Sequence, residues 1–156
     1  MIPSDTFNDV PLARLFSMAF RLLVDGLHDE LRAAGWHDVR PAFGFVLLAC
    51  RDQPTSAKGI AALMGTTKQA ASKLIESMEE IGYVTRSASA VDGRGKDVEL
   101  SSRGRELLGA VEQSYRTLET QWATVIGAKS VERMRADLLR VLLDANNNTL
   151  PPVRPT

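Results

Sequence analysis

The sequence predicts a mainly α-helical chain with a small β-hairpin wing, in which a winged helix-turn-helix lobe joins a dimerisation lobe made of the N- and C-terminal helices. Three observations predict it. Long stretches at both ends repeat apolar residues at helical spacing, a short helix, a glycine turn and a second helix occupy residues 56 to 84, and the period then changes to strand-like alternation around a glycine-rich turn.

Taken in order, Leu12, Leu15, Phe16, Ala19, Phe20, Leu23, Leu27 and Leu31 form one apolar stripe, with Arg14, Ser17, Arg21, Asp25 and Asp29 opposite. Gly35 suits the stop of this first helix, and Pro41 opens a second, more uniformly apolar one that ends before "RDQPT". Ser56 is the expected cap of a third helix, "AKGIAALM", and Thr66 or Thr67 of a fourth that follows Gly65. "YVTRSA" and "KDVELS" read as strands flanking "SAVDGRG", whose Asp-Gly and paired glycines are turn chemistry. From Ser102 the helical period returns through Leu107, Val111, Tyr115, Leu118 and Trp122, and again through Val131, Met134, Leu138, Val141 and Leu142. The chain then divides as one domain over residues 1–156: 1–40 and 102–146 as dimerisation helices, 41–101 as the winged lobe, and 147–156 as a loose tail.

Composition bounds the function. Lys and Arg total 19 and Asp and Glu total 19, so no bulk charge draws this chain to nucleic acid or to a membrane, and any basic surface is local. One cysteine, Cys50, ends the apolar run "FGFVLLAC" and reads as core; a reducing compartment is expected. "MIPSDTFNDVP" lacks the basic and apolar regions of a signal peptide and no apolar run is of membrane-spanning length, so a cytoplasmic location and no membrane partner are expected. The sequence holds no Gly-rich phosphate loop, nucleophile elbow, paired Cys-x-x-Cys or His-rich motif, and the expectation is a non-enzyme without a cofactor.

The long terminal helices need a partner, because a small central lobe offers too little surface for their stripes. Leu12, Leu15, Phe16, Leu23, Leu138, Val141 and Leu142 are the expected contacts to a second copy of the chain, with a monomeric bundle as the alternative.

The fourth helix, "TTKQAASKLIESMEEIGYV", carries its charges against its own dipole: Lys68 and Lys73 come first, and Glu76, Glu79 and Glu80 last. Ala71, Leu74, Ile75, Met78 and Ile81 form its core face, which turns Lys68, Gln69, Ser72, Lys73 and Glu76 outward. Gln, Lys, Ser and Thr suit base edges and phosphates in a major groove, and the misplaced lysines then meet a polyanion while the glutamates stay clear of it. The candidate contacts to double-stranded DNA are Thr66, Thr67, Lys68, Gln69, Ser72 and Lys73, joined by Arg94 and Lys96 of the wing, where a glycine-flanked arginine suits a minor groove.

"IAALMGTTKQAASKLIESMEEIGYVTR" followed by "DGRGKDVELSSRGREL" resembles the winged-helix regulators of the multiple-antibiotic-resistance regulator (MarR) family, in the apolar register of the recognition helix, the closing Gly-Tyr-Val, the Asp92-Gly93-Arg94 wing and the stretch from Leu100 to Gly104. The resemblance implies a homodimer joined through its terminal helices that binds a pseudo-palindromic operator, as a repressor released by a small, often aromatic, ligand. Gly59 departs from the family pattern, which more often has a polar or acidic residue there. No cysteine stands near the start of the first helix, against thiol sensing, and His28 and His37 do not share a helical face, so no metal site is assigned. "GWHDVRPAF" supplies Trp36, His37, Arg40 and Phe43, apolar faces and a cation for an aromatic acid; with Phe16 and Phe20 they are the candidate effector residues, set against a reading in which Trp36 and Phe43 only seal the helix junction. The competing functions are a dimer of this fold that binds a ligand or protein but no DNA, and a metal-responsive regulator.

Overall fold

Side chains and glycines at the helix ends set the element boundaries. The structure, a computed structural model, describes residues 7–88 and 96–155. Helix α1 (Leu12–Ala33) starts after Pro11, whose carbonyl accepts the Arg14 and Leu15 amides. It closes in a Schellman turn: the Gly35 amide, at φ 95°, donates to Arg32 and the Trp36 amide to Leu31. Helix α2 (Phe43–Ala49) follows the Pro41 turn and buries Phe43, Val46 and Leu47, with Cys50 buried at its end.

Helix α3 (Ala57–Met64) is capped by Ser56, whose hydroxyl accepts the Gly59 amide at 3.0 Å. A Cβ on Gly59 would lie 2.7 Å from the Thr55 hydroxyl, which gives this departure from the family pattern a packing reason. Gly65, at φ 67°, and the Thr66 amide, which donates to Ala61, end α3. Thr67, not Thr66, therefore caps helix α4 (Lys68–Ile81), accepting the Ala70 amide at 3.1 Å.

The wing has one strand more than the sequence predicts. Strand β1 (Thr55–Ser56) pairs antiparallel with β3 (Lys96–Leu100), which also pairs antiparallel with β2 (Val84–Ala88), giving the order β1-β3-β2. A two-residue strand carries no alternation to detect. It forms because Thr55 and Ser56, just ahead of α3, fall opposite Val98 and Asp97.

Helices α5 (Ser102–Ile126) and α6 (Ala128–Ala145) complete six helices among the described residues. The core joins the C-terminal half of α1 to α2, α3, α4, the sheet and α5 as far as Leu118. Among the described residues α6 buries no side chain; it runs back along α5, held in part by Arg135 to Glu119 at 2.6 Å. The tail, expected to be loose, turns back at Asn146–Thr149 and lies against the body.

One joint fixes α4, the wing and α5 together. Ser101 caps α5 by accepting the Gly104 amide at 3.0 Å, its hydroxyl also donates to the Gly82 carbonyl at the end of α4, and its own amide donates to Tyr83 at 3.0 Å. Gly104 sits so close that an added Cβ would lie 2.0 Å from the Tyr83 carbonyl oxygen. Gly104→Ala should therefore destabilise the protein by about 3 kcal/mol or more, since backbone has to move. Gly109→Ala, where an added Cβ meets nothing within 4 Å, should stabilise by roughly 0.5–1 kcal/mol. Urea unfolding of both variants checks the pair, and equal effects would contradict the close approach.

Candidate nucleic-acid interface

Helix α4 buries Ala71, Ile75 and Met78 fully and Leu74 and Ile81 partly, which fixes its rotation. That rotation leaves Lys68, Gln69, Lys73 and Glu76 exposed, beside the exposed Thr66 and Thr67 of the preceding turn. Ser72 is half-buried, and its carbonyl accepts the Arg86 guanidinium at 3.4 Å.

The charges of α4 divide into two groups. Glu79, in its second half, faces the Arg86 guanidinium of β2 at 3.9 Å and so ties the helix to the wing. At its start no acidic residue occupies the first turn, and among the described residues no carboxylate pairs with Lys68 or Lys73. The result is a surface with unpaired positive charge and a helix N-terminus, both suited to phosphate. Lys96 is exposed at the start of β3, paired in register with Ala88. Arg94 lies outside the described residues.

A cavity of about 650 Å³ opens between α1, α2 and α5. Phe20, Leu27, Phe45 and Leu48 give it apolar walls, and Arg21, His28, Arg40 and Tyr115 add polar groups. Of the six residues that the sequence nominates for an effector, Phe20 and Arg40 line it. Phe43 is fully buried, edge-on to Tyr83 at 6.0 Å, and Trp36 also packs against Tyr83, at 6.2 Å and under the Arg103 guanidinium. These two rings seal the helix junction. His37 and Phe16 are exposed and do not line the cavity.

Sequence reasoning missed Arg21, His28, Phe45 and Tyr115. The weak signal was spacing: Arg21, Val24, His28 and Leu31 recur at helical intervals and line the cavity together, although the apolar stripe of α1 puts Arg21 on its opposite, exposed face. Burial, helped by the nearby Arg32, lowers the His28 pKa against the opposing pull of Asp25 and Asp29, and burial raises that of Tyr115. Both groups are therefore neutral hydrogen-bonding partners near neutral pH. Among the described residues no group of three or more His, Cys, Asp or Glu side chains is arranged to hold a metal.

The family model described as MarR family matches residues 38–95, a span that holds α2, α3, α4 and β2. Solved structures similar to this chain include wild-type MarR from E. coli in its apo form, at 22% identity and a TM-score of 0.67 over 85% of this chain and 98% of that one. A MarR-family transcriptional regulator from Rhodococcus sp. RHA1 is 22% identical, with a TM-score of 0.65 over 83% and 91% of the two chains. CouR from Rhodococcus jostii RHA1, solved with p-coumaroyl-CoA bound, is 23% identical, with a TM-score of 0.64 over 86% and 92%. At these identities the likeness establishes the fold. A comparison with curated proteins gave no match.

Cys50 can be tested directly. It is 1% exposed, and burial pushes its pKa from 9.0 up to about 11, so the native thiol stays protonated and shielded. A raised thiol pKa contributes stability that is complete below the ordinary thiol range and is lost as pH rises through about 11. Ellman's reagent at pH 8 should therefore find almost no thiol in the native protein and one per chain in denaturant. Rapid native labelling would contradict the buried placement and reopen thiol sensing.

Proposed function

We propose that this chain is a homodimeric regulator of transcription that binds a pseudo-palindromic operator as a repressor and releases it when a small anionic aromatic ligand enters the cavity. The observation that carries the DNA-binding half is the start of α4, where Lys68, Gln69 and Lys73 stand exposed and free of carboxylate partners among the described residues. Positive charge there opposes the helix dipole, a small cost that a polyanion repays several times over. In this reading Gln69 reads adenine, Lys68 and Lys73 meet guanine or phosphate, Thr66, Thr67 and Ser72 contact the backbone, and Lys96 with Arg94 brings the wing to the minor groove.

Exposed apolar surface supports the dimer. Leu12 is 67% exposed and Val141 66%, with Leu15, Phe16 and Leu142 also exposed on the same two terminal helices. Apolar surface of this extent marks an interaction site. Leu23 and Leu138 are half-buried in their own protomer, with Leu23 packed on the core, so they contribute less to the interface than the sequence pattern implies.

The ligand half rests on the cavity. CouR, which shares the fold, holds p-coumaroyl-CoA. Here apolar walls beside Arg21 and Arg40 suit an aromatic body with a negative group.

Two recognition helices related by the dimer axis should protect half-sites about 10 bp apart, or a multiple of a helical turn. Gln69→Ala should weaken the preferred operator by about 1–3 kcal/mol and relax base preference at one position in each half-site. Footprinting followed by binding titrations on single-base operator variants checks both. A lone asymmetric footprint, or an unchanged preference in the variant, would contradict the reading.

A further inference from the structure

The cavity has a wall that the helices do not supply. After α6 the chain reverses through Asn147 and Asn148, both in the left-handed region at φ 51° and 61°. The Asn148 amide donates to Leu143 at 2.8 Å, the Asn146 side-chain amide to the Thr149 carbonyl at 3.0 Å, and the Thr149 hydroxyl back to the Asn146 carbonyl at 2.8 Å. This turn is a built device that aims the tail back at the body. Pro151, Pro152 and Pro155 then restrict the backbone, so less entropy is lost when the segment lies down.

Val153, Arg154 and Pro155 reach the cavity and line it. Arg154 is the third guanidinium there, with Arg21 and Arg40, and no carboxylate stands among the described lining residues. The Arg154 side chain also lies beside Gly65, where an added Cβ would be 3.5 Å from its Cδ. Gly65 is the turn between α3 and α4. One side chain thus lies beside both the cavity and the α3–α4 turn.

We propose that residues 151–155 are a strap that closes the cavity over an aromatic anion, with Arg154 contributing to the anion's binding and transmitting occupancy to the α3–α4 turn. This rests on the reading of the cavity as the effector site. A cavity with unopposed guanidinium groups favours an anion over a neutral ligand of the same shape, and a strap held by few contacts can open for exchange without disturbing the core. Bound anion holds Arg154 in place, and Arg154 in turn packs on Gly65.

The test uses the full-length protein and two fluorescent probes of similar shape, 1-anilinonaphthalene-8-sulfonate and its uncharged counterpart N-phenyl-1-naphthylamine. Arg154→Ala should weaken the sulfonate about tenfold and leave the neutral probe unchanged, as removal of one charge-assisted hydrogen bond implies. Arg154→Lys should keep part of the affinity. Deleting residues 151–156 should weaken both probes, and the sulfonate should slow amide exchange at Gly65 and Thr66 in the intact chain but not in the deletion. Unchanged sulfonate affinity in Arg154→Ala, or unchanged binding of both probes after the deletion, overturns the strap. Gly44→Phe separates the two readings, because Gly44 lines the cavity and an added Cβ there meets nothing within 4 Å. If Gly44→Phe abolishes binding while the tail variants do not, only the strap fails. If Gly44→Phe also leaves binding unchanged, or neither probe binds, the effector cavity fails and the strap with it.

Discussion

The rest of the winged lobe depends on the contact between Gly104 and the Tyr83 carbonyl. Here the end of α4, the start of the wing and the start of α5 meet, and only a residue without a side chain lets them. Ser101 completes the joint by bonding Gly82, Tyr83 and Gly104. Tyr83 in turn packs against Trp36 and Phe43, under the Arg103 guanidinium at 5.4 Å from its ring. The angle of α4 relative to the wing and α5 is thus set by a few backbone hydrogen bonds and one packed aromatic cluster, at the opposite end of α4 from its exposed lysines.

That separation explains the charge order of α4. The stability of the helix comes from Ala71, Ile75 and Met78 in the core and from the Arg86–Glu79 pair, so its first turn need not be optimised for its own dipole. Glutamate is used where it holds the wing, and lysine where it costs a little and is free to bind. The family match over residues 38–95 includes the whole of α4.

Much of this was legible in the residues. Ser56 and one of Thr66 or Thr67 as caps, Gly35 and Gly65 as stops, and the inward register of α4 are local signals, each decided within a few residues. Features made by distant segments were not. Strand β1 exists only because β3 arrives beside Thr55, and the cavity is shaped jointly by α1, α2, α5 and the tail. Trp36 and Phe43 have the composition of a ligand site, yet Tyr83, distant from both in sequence, packs against both rings. The tail reads as loose by its polar composition, while two asparagines that accept the left-handed region turn it back on the body.

The central claim, that the start of α4 carries positive charge for the sake of a polyanion, is tested most directly by Lys68→Glu, with operator affinity followed across a salt series and thermal melting measured beside it. Expected are weaker binding, a salt slope shallower by about one unit for each phosphate that Lys68 neutralises, and a melting temperature equal to or slightly above wild type. Unchanged affinity and slope together with a lowered melting temperature would mean that Lys68 serves the fold and not DNA, and would contradict the account.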